Sequence, residues 1–313
     1  MPRLFLGVDG GQSSTTALIG DETGRVLGAG VGGPCNHVGA AGGREKFERA
    51  IGGSVGEACR QASLDPASVR FEAACLGFSG GPADKEQLLR ALLRTDRLIV
   101  TTDALIALSG ATAGEAGIIT IAGTGSIAFG RDAGGRNARA GGWGYIFGDE
   151  GGAFYIVKQA LRAALRFEEG WGSATALHAG LLAATGASTA NDLLHRFYTA
   201  EFPRPRIASY APLVDEEAAR GDAVALDILR GAARELAAVT MAVHEQLFRP
   251  GERVRAAYIG GVFRSAILLE TYRGFLALET APPRYGPAAG ALIEAYRSAG
   301  LAPPLSSLPD FKT

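Results

Sequence analysis

The order of apolar and polar positions over the first hundred residues predicts an α/β arrangement. Five apolar runs bounded by turn residues predict strands, at residues 4–8, 15–19, 25–31, 71–78 and 98–102. Two segments predict helices, one with Phe47, Ile51, Val55 and Cys59 at helical spacing and one at residues 84–93. Three meandering strands followed by alternating helices and strands are typical of an α/β domain.

The opening pattern is repeated near residue 117. An apolar strand at 117–122, a tight turn at 123–126 and a returning strand at 127–130 reproduce the hairpin predicted at the amino terminus. One later strand is predicted, at 254–259, among helical segments at 151–166, 176–184, 191–198, 211–220, 223–248 and 287–299. We infer two related halves. Because no low-complexity linker separates them, we expect them to share a cleft and a hinge.

Composition narrows the class of protein. The 313 residues are enough for roughly two domains of about 150 residues each. With 31 Lys and Arg against 32 Asp and Glu, the net charge is −1, so we expect neither nucleic acid nor a membrane surface as a partner. Gly is abundant at 45 residues, but 47% of the chain is hydrophobic, which argues against disorder.

The cysteines and the first residues predict the compartment. Cys35, Cys59 and Cys75 have no C-x-x-C spacing, so we expect reduced thiols rather than disulfides or metal ligands. The first apolar run, at residues 4–8, is too short for a signal sequence or a spanning helix. We therefore expect a soluble, cytoplasmic protein.

Two turns rich in glycine and hydroxyl groups are candidate phosphate sites. In the first, Asp9 ends a strand and is followed by Gly10, Gly11, Gln12, Ser13 and Ser14. Glycines let backbone N–H groups approach phosphate oxygens, and Asp9 is placed to hold a hydrated Mg²⁺. The second turn repeats this chemistry with Gly123, Thr124, Gly125 and Ser126. Either could be a plain hairpin turn, but two equivalent turns favour a site for the phosphates of a nucleotide.

Two other nucleotide-binding motifs are not supported by this sequence. A Walker A loop needs Gly-Lys-Ser/Thr, and no lysine of this chain follows a glycine. Residues 28–33 match G-x-G-x-x-G and residues 123–128 match G-x-G-x-x-A, but neither lies where a strand passes into a helix. We expect neither P-loop chemistry nor a dinucleotide site.

Three further segments carry candidate chemistry. Asp103 ends an apolar strand and could be the N-cap of the next helix, a general base at a substrate hydroxyl, or both. The segment 141–151 combines glycines with Trp143, Asp149 and Glu150, which could form a loop and helix cap or a site for vicinal hydroxyls, as could the amide of Asn36. The glycines at 260–261 could form a simple turn or let an adenine lie against the backbone.

The motifs GVDGGQSSTTALI, TTDA, IAGTGS, GGWGYIFGDEGGAFY and IGGVFRS, in that order, resemble one known family. They are similar to the N-acetylglucosamine kinase branch of the sugar kinase/actin/Hsp70 superfamily, which includes the BadF/BadG/BcrA/BcrD ATPase-type proteins. The resemblance implies a two-domain actin-like ATPase fold of the ribonuclease H-like type, α/β in class, with duplicated βββαβαβα halves and an interdomain cleft. A small domain would comprise residues 1–112 with 287–313, and a larger, helix-rich domain residues 113–286.

The resemblance also implies roles for single residues. The positions that fall on ATP contacts are Gly10, Gly11, Gln12, Ser13, Ser14, Thr124, Gly125, Ala208, Gly260, Gly261 and Ser265. The positions that fall on sugar contacts are Asn36, Asp103, Gly125, Ser126, Gly142, Trp143 and Asp149. Asp103 falls on the catalytic base, and Asp9 is the candidate ligand of Mg²⁺. Gln12 departs from the family pattern, which has a third glycine there, and this leaves the geometry of the first turn open.

The function implied is an ATP- and Mg²⁺-dependent kinase that phosphorylates the 6-hydroxyl of an amino sugar, N-acetylglucosamine first, as a homodimer. Glucosamine, N-acetylmuramic acid and glucose stay open as substrates, because nothing in the spacing selects an acetamido group. An alternative of another class is an actin-like regulatory or activator ATPase without a sugar substrate. The cysteine pair that bridges an iron–sulfur cluster in some activators is not identifiable among the three cysteines.

Overall fold

A computed structural model describes residues 2–35, 38–39, 42–79 and 85–309. The chain forms two compact units, one of Met1–Glu115 with Pro283–Thr313 and one of Ala116–Pro282. Each unit contains a five-stranded mixed sheet. Within the described ranges, no helix combines the length and the apolar character needed to span a membrane.

The sheet of the first unit begins as a meander. Its strands are β1 (Leu4–Gly10), β2 (Thr15–Asp21), β3 (Val26–Gly32), β4 (Phe71–Phe78) and β5 (Thr95–Thr102), in the order β3-β2-β1-β4-β5. The first three strands pair antiparallel, whereas β4 and β5 run parallel to β1. Successive residues Phe5 and Leu6 of β1 are both fully buried, because helices cover both faces of the sheet. The helices α1 (Gly43–Gln61), α2 (Glu86–Leu92) and α3 (Asp103–Thr112) follow the third, fourth and fifth strands.

The sheet of the second unit repeats this order. Its strands are β6 (Gly117–Ala122), β7 (Ser126–Arg131), β8 (Asn137–Gly141), β9 (Arg255–Ile259) and β10 (Glu279–Ala281), in the order β10-β9-β6-β7-β8. Again the first three strands pair antiparallel and the last two run parallel to the first. The duplicated topology predicted from the two hairpins is confirmed.

A helical layer lies between β8 and β9 in the chain. Its members are α4 (Ala153–Glu168), α5 (Leu177–Thr185), α6 (Ala190–Phe197), α7 (Arg204–Ala208), α8 (Ala211–Ala219) and α9 (Ala223–Leu247). Between β9 and β10 lies α10 (Ala266–Phe275), after a short 3₁₀ turn at Gly261–Arg264. Three hydroxyls join α9, α10 and the sheet inside the core, because Thr120 Oγ1 lies 2.6 Å from Thr240 Oγ1 and 3.0 Å from the Tyr272 hydroxyl.

The last helix, α11 (Pro287–Ser298), returns to the first unit and packs against β1 and α3. Its buried face contains one glycine and several alanines, and at these small residues its backbone comes very close to the backbones of β1 and α3. A Cβ atom on Gly290 would overlap the carbonyl oxygen of Ile106 in α3, and one on Gly7 would overlap the backbone of Leu292. At the far end of the helix, the Tyr296 ring lies 4.5 Å from that of Phe5 and its hydroxyl donates to the carbonyl of Asp21.

Four elements are absent from the prediction. These are β8, β10, α7 and α10. Strand β8 has the sequence NARAG, without the apolar alternation that marks a half-buried strand. Strand β10 has three residues and α7 has five, too few to show a period, and α10 begins directly after the turn that starts at Gly260. The predicted helix at 84–93 is present as Glu86–Leu92, and its first predicted residue lies outside the described residues.

The close approach of α11 and α3 gives a first testable prediction. We expect Gly290→Ala to lower the free energy of unfolding by about 3 kcal/mol or more, because the new methyl group meets backbone that cannot move aside. Gly53→Ala is the matched control, since Gly53 lies inside α1 of the same unit with no atom within 4 Å of its Cβ position. For Gly53→Ala we expect the free energy of unfolding to rise by roughly 0.5–1 kcal/mol. Urea unfolding of both variants measures the difference, and equal effects would refute the packing argument.

Candidate functional site

Three polar side chains meet at one edge of the first sheet. Asp9 lies near the end of β1, Ser79 follows β4 and Asp103 follows β5, and these three strands are parallel neighbours. In the register of the sheet, Asp9 pairs with Gly77, which pairs with Thr101. Because the carboxyl ends of parallel strands lie at one edge, the topology brings the three side chains together, all of them partly buried.

Asp103 is oriented by two hydrogen bonds. The hydroxyl of Ser79 donates to its Oδ2 at 2.8 Å, and the backbone N–H of Ala104 donates to its Oδ1 at 2.8 Å. The N-cap of α3 is Thr102, whose side chain accepts from the N–H of Leu105 at 3.3 Å. The capping role weighed for Asp103 therefore falls to Thr102, and the Asp103 carboxylate is left for other chemistry.

The carboxyl group of Asp9 has a shifted pKa. Burial and, to a smaller extent, the negative charge of Asp103 raise the pKa of Asp9 from 3.8 to about 6. Two carboxylates in one partly buried place repel each other, and a cation relieves such repulsion. Mg²⁺ prefers carboxylate oxygen together with water and phosphate oxygen, so the chemistry of Asp9 fits that ion. Over the described part of the chain, no three His, Cys, Asp or Glu side chains converge on a metal centre of their own.

The first turn is closed by few bonds. The N–H of Gly11 donates to the carbonyl of Ser14 at 2.9 Å, and the N–H of Cys35 donates to the carbonyl of Gly11 at 3.4 Å. The next three residues, Gln12, Ser13 and Ser14, are exposed, and the N–H groups of Gln12 and Ser13 bond to no described residue. Successive free N–H groups of this kind suit phosphate oxygens.

Gln12 fits this turn, because its φ is not positive and the turn therefore needs no glycine there. Gly10 is required for another reason. A Cβ atom on it would overlap the ring of Phe78 and crowd the Cys35 sulfur.

The second turn is held by hydrogen bonds to residues that follow it in the chain. The N–H of Gly123 donates to the carbonyl of Gly125 at 2.9 Å, and Ser126 Oγ donates to the carbonyl of Glu150 at 2.6 Å. The first N–H groups of α4, on Ala153 and Phe154, donate to the carbonyls of Gly123 and Thr124 at 2.8 and 3.1 Å. The N–H groups of Thr124 and Gly125 bond to no described residue, as at the first turn.

A cavity of about 560 Å³ adjoins the second turn within the same unit. The predicted nucleotide residues among those that line it are Thr124, Ala208, Gly261 and Ser265. Ser265 is the N-cap of α10, accepting from the N–H of Leu268, and its hydroxyl donates to the carboxylate of Asp215, which also lines the cavity. Gly260, which directly precedes Gly261, has φ +118° and lies so close to the backbone of Ala122 that no side chain fits there.

A glycine-rich loop with one exposed indole follows β8. Gly142 has φ +71° and Trp143 is 65% exposed, with the guanidinium of Arg139 4.5 Å from its ring centre. Asp149 ends the loop, buried, with φ +62°. A Cβ atom on Gly125 would overlap the Asp149 carboxylate, so that carboxylate packs directly on the second turn.

The predicted site residues therefore form groups inside each unit. The first unit brings together Asp9, Asp103 and the turn at 10–14, and the second unit brings together the turn at 123–126, the cavity residues and Asp149. Trp143 lies at the surface of the loop that ends in Asp149, and Asn36 lies outside the described residues.

The residues that sequence reasoning missed are Ser79, Arg204 and Asp215. Ser79 and Asp215 are hydrogen-bonded to predicted site residues, and Arg204 forms an ion pair with Asp149. Ser79 could have been found as the first polar residue after a buried strand, next to the strand that ends at Asp103. The other two have no local signal, because helix positions in α7 and α8 show no sign of their distant partners.

These features define a class of protein. Two sheets of matching strand order, each opening with a hairpin whose turn exposes N–H groups, are the architecture of the sugar kinase/actin/Hsp70 fold. The profile of the BadF/BadG/BcrA/BcrD ATPase family matches residues 6–295, and the chain belongs to this family.

Two curated relatives are kinases of amino sugars. The chain is 34% identical over 282 residues to the N-acetylmuramic acid/N-acetylglucosamine kinase of Clostridium acetobutylicum, covering 88% of this chain and 91% of that protein. It is 30% identical over 281 residues to the N-acetyl-D-glucosamine kinase of Dictyostelium discoideum, covering 85% of this chain and 88% of that protein.

Solved structures agree on the fold. A Chromobacterium violaceum protein, provisionally assigned as an N-acetylglucosamine kinase, matches with a TM-score of 0.73 and 28% identity, over 93% of this chain and 98% of that chain. A ROK family glucokinase from Streptomyces griseus, solved with glucose and AMPPNP, matches with a TM-score of 0.56 and 20% identity, over 93% of this chain and 98% of that chain, which bears on the fold alone.

The raised pKa of Asp9 gives a second testable prediction. A carboxylate whose pKa rises on folding opposes folding when it is ionised, so its destabilisation is absent below about pH 4 and complete above about pH 7. We expect Asp9→Asn to raise the free energy of unfolding by about 3 kcal/mol at pH 8, and by little near pH 4. Urea unfolding without nucleotide or divalent cation measures both values.

Asp65→Asn is the control of opposite sign. Asp65 accepts from the hydroxyl of Ser68 and the N–H of Ala67, and these bonds lower its pKa. Its stabilising effect is present at neutral pH and lost in acid, so that this variant should be less stable than the wild type at pH 8. If the gain from Asp9→Asn were the same at both pH values, the buried charge would not be its cause.

Proposed function

We propose that this protein is an ATP-dependent sugar kinase that transfers the γ-phosphoryl group to the 6-hydroxyl of an amino sugar, with N-acetylglucosamine as the first candidate. The observation that carries the proposal is the Asp103 carboxylate, oriented by Ser79 and Ala104 beside Asp9 at one sheet edge. Relatives that are 30–34% identical over most of the chain and named as amino sugar kinases support it.

Asp103 is assigned the role of general base. Its carboxylate accepts the proton of the sugar hydroxyl while that oxygen bonds to the γ-phosphorus and the bond from the γ-phosphorus to the ADP oxygen breaks. The products are the sugar phosphate and ADP. Ser79 keeps the carboxylate in one orientation, which matters because a general base acts only within hydrogen-bond distance of the proton.

The nucleotide is assigned to the two turns and to the cavity of the second unit. The N–H groups of Gln12, Ser13, Thr124 and Gly125, which bond to no described residue, would bind phosphate oxygens, with Gly10, Gly11 and Ser14 completing the first turn. The adenosine would lie against Ala208, Gly260, Gly261 and Ser265. Asp9 would hold Mg²⁺, which neutralises phosphate charge when it is bound.

The sugar is assigned to the loop that ends in Asp149. Asp149 and the backbone at Gly125, Ser126 and Gly142 offer acceptors and donors for hydroxyl groups, and the exposed face of Trp143 suits the apolar face of a sugar ring. Asn36 is included in this site on the family resemblance. The relative from Clostridium acetobutylicum is named for two amino sugars, so N-acetylmuramic acid is the second candidate.

We further propose a cytoplasmic homodimer with domains at residues 1–112 with 287–313 and at 113–286. The three cysteines are buried free thiols, which suits a reducing compartment. Ile146, Phe147 and Tyr198 of the second unit are 70–85% exposed, and apolar side chains of this kind favour subunit contacts. Light scattering of the purified protein measures the oligomeric state.

A sugar panel tests the activity. The purified protein is incubated with ATP, Mg²⁺ and one of N-acetylglucosamine, N-acetylmuramic acid, glucosamine or glucose, and the sugar phosphate is identified by mass spectrometry and ³¹P NMR. We expect the 6-phosphate of an N-acetylated amino sugar as the main product. ATP turnover that is independent of sugar and yields no sugar phosphate would contradict the proposal and favour a regulatory ATPase.

The role of Asp103 gives a further prediction. We expect Asp103→Asn to lower kcat by ~10²–10⁴, the usual range for loss of a general base. The KM for ATP should change little, because the residue is assigned to the sugar hydroxyl. Steady-state kinetics with the best sugar of the panel measure both constants. Unchanged turnover would show that another group accepts the proton.

A further inference from the structure

Arg204 forms the ion pair that accompanies the buried carboxylate of the sugar loop. Its Nη2 lies 3.3 Å from Oδ2 of Asp149, and the Arg204 side chain is 35% exposed whereas that of Asp149 is 8% exposed. Because a buried carboxylate that loses its cation is costly, removal of Arg204 should disturb Asp149 more than removal of a surface charge would.

Asp149 also depends on that partner for its conformation. A non-glycine residue with φ +62° occupies a backbone region that L side chains seldom adopt, and it persists only where its surroundings hold it. The contacts that hold it include the N–H of Gly152 at the Asp149 carbonyl, the backbone of Gly125 behind the carboxylate and the guanidinium of Arg204. Without the guanidinium, the carboxylate gains by turning toward water.

Arg204 contacts the other side of the loop as well. Its guanidinium carbon lies 5.4 Å from the ring centre of Tyr145, which in turn meets the ring of Phe154 edge-on at 5.3 Å. Tyr145 is two residues from Trp143. One side chain therefore bridges two points of the segment 145–149, one by charge and one through an aromatic face.

The helix that carries Arg204 reaches the nucleotide cavity. Arg204 is the first residue of α7, and Pro205, Ala208 and the following Ser209 line the 560 Å³ cavity beside Thr124. Five helical residues span only about 7.5 Å, so the two ends of α7 cannot move independently. A displacement at Arg204 would therefore also move Pro205 and Ala208 in the cavity wall.

We propose that Arg204 is a positioning residue that holds Asp149 and the sugar loop in the binding conformation and, through α7, couples sugar binding to nucleotide binding. This inference rests on the proposed function. It assigns to Arg204 no contact with the reacting atoms. Its loss should therefore act mainly on the KM for the sugar and on the coupling, and less on kcat.

Arg204→Gln is the test variant and Arg206→Gln the matched control. Arg206 lies on the same short helix, with its guanidinium 4.1 Å from the ring centre of Phe202 and its Nη1 donating to the carbonyl of Glu201. For Arg204→Gln we expect at least a tenfold rise in the sugar KM, with kcat and the KM for ATP at low sugar changed by less than about threefold. For Arg206→Gln all three constants should stay within about twofold.

Two further variants separate positioning from a general loss of structure. Arg204→Lys keeps the positive charge, so its sugar KM should rise less than that of Arg204→Gln. Combining Arg204→Gln with Asp149→Asn should raise the sugar KM no further than Asp149→Asn alone, because both changes remove one ion pair. If the rise in the sugar KM of the double variant equalled the product of the rises in the two single variants, Arg204 would act independently of Asp149, and the inference would be overturned.

Direct binding measures the coupling. In a Trp171→Phe background Trp143 is the one remaining tryptophan of the sequence, so its fluorescence reports the sugar loop. The sugar Kd is measured with and without the non-hydrolysable analogue AMPPNP. We expect AMPPNP to change the Kd in the parent protein and to change it less in Arg204→Gln.

If the parent protein phosphorylates a sugar and Arg204→Gln leaves the sugar KM and the coupling unchanged, the inference is wrong and the proposed function stands. The inference is equally wrong if Arg204→Gln and Arg206→Gln are equivalent. If the parent protein phosphorylates no sugar of the panel, the proposed function fails, and the role of Arg204 that rests on it fails too.

Discussion

Parallel pairing of β1, β4 and β5 is the constraint on which the chemistry of the first unit depends. Asp9, Ser79 and Asp103 are separated by 70 and 24 positions along the chain, and they meet only because three parallel strands end at the same edge. The absence of a side chain at Gly7 lets α11 approach β1 closely and cover this sheet. A slip of one residue in β5 relative to β4 would separate Asp103 from Ser79.

The two units place charges of opposite sign beside a carboxylate. In the first unit, Asp9 has a carboxylate as its charged neighbour, and its pKa is raised to about 6. In the second unit, Asp149 has the guanidinium of Arg204. A carboxylate beside another carboxylate suits a place that receives a cation from outside, whereas a carboxylate paired with a guanidinium suits one that binds neutral hydroxyl groups.

The parts of the site that could be predicted are those encoded within a few residues. Both turns, the strand ends at Asp9 and Asp103 and the glycine pair at 260–261 each have a local signal, namely an apolar run followed by glycine or a polar residue. Arg204 and Asp215 have none, because each depends on a partner tens of residues away, Asp149 for the first and Ser265 for the second. The family resemblance added Ala208, which no local pattern marks.

The duplicated turns are not equivalent, and the difference is physical. The second turn is bonded to the first N–H groups of α4 and packed against the Asp149 carboxylate, so its geometry is fixed by elements of its own unit. The first turn has the bond from Gly11 to Ser14, and its Gly10 and Gly11 carbonyls accept long hydrogen bonds from Ser79 and Cys35, with three exposed residues at its tip. A turn with so few internal contacts can adjust to a ligand, and it accepts Gln12 in place of glycine because no positive φ is required there.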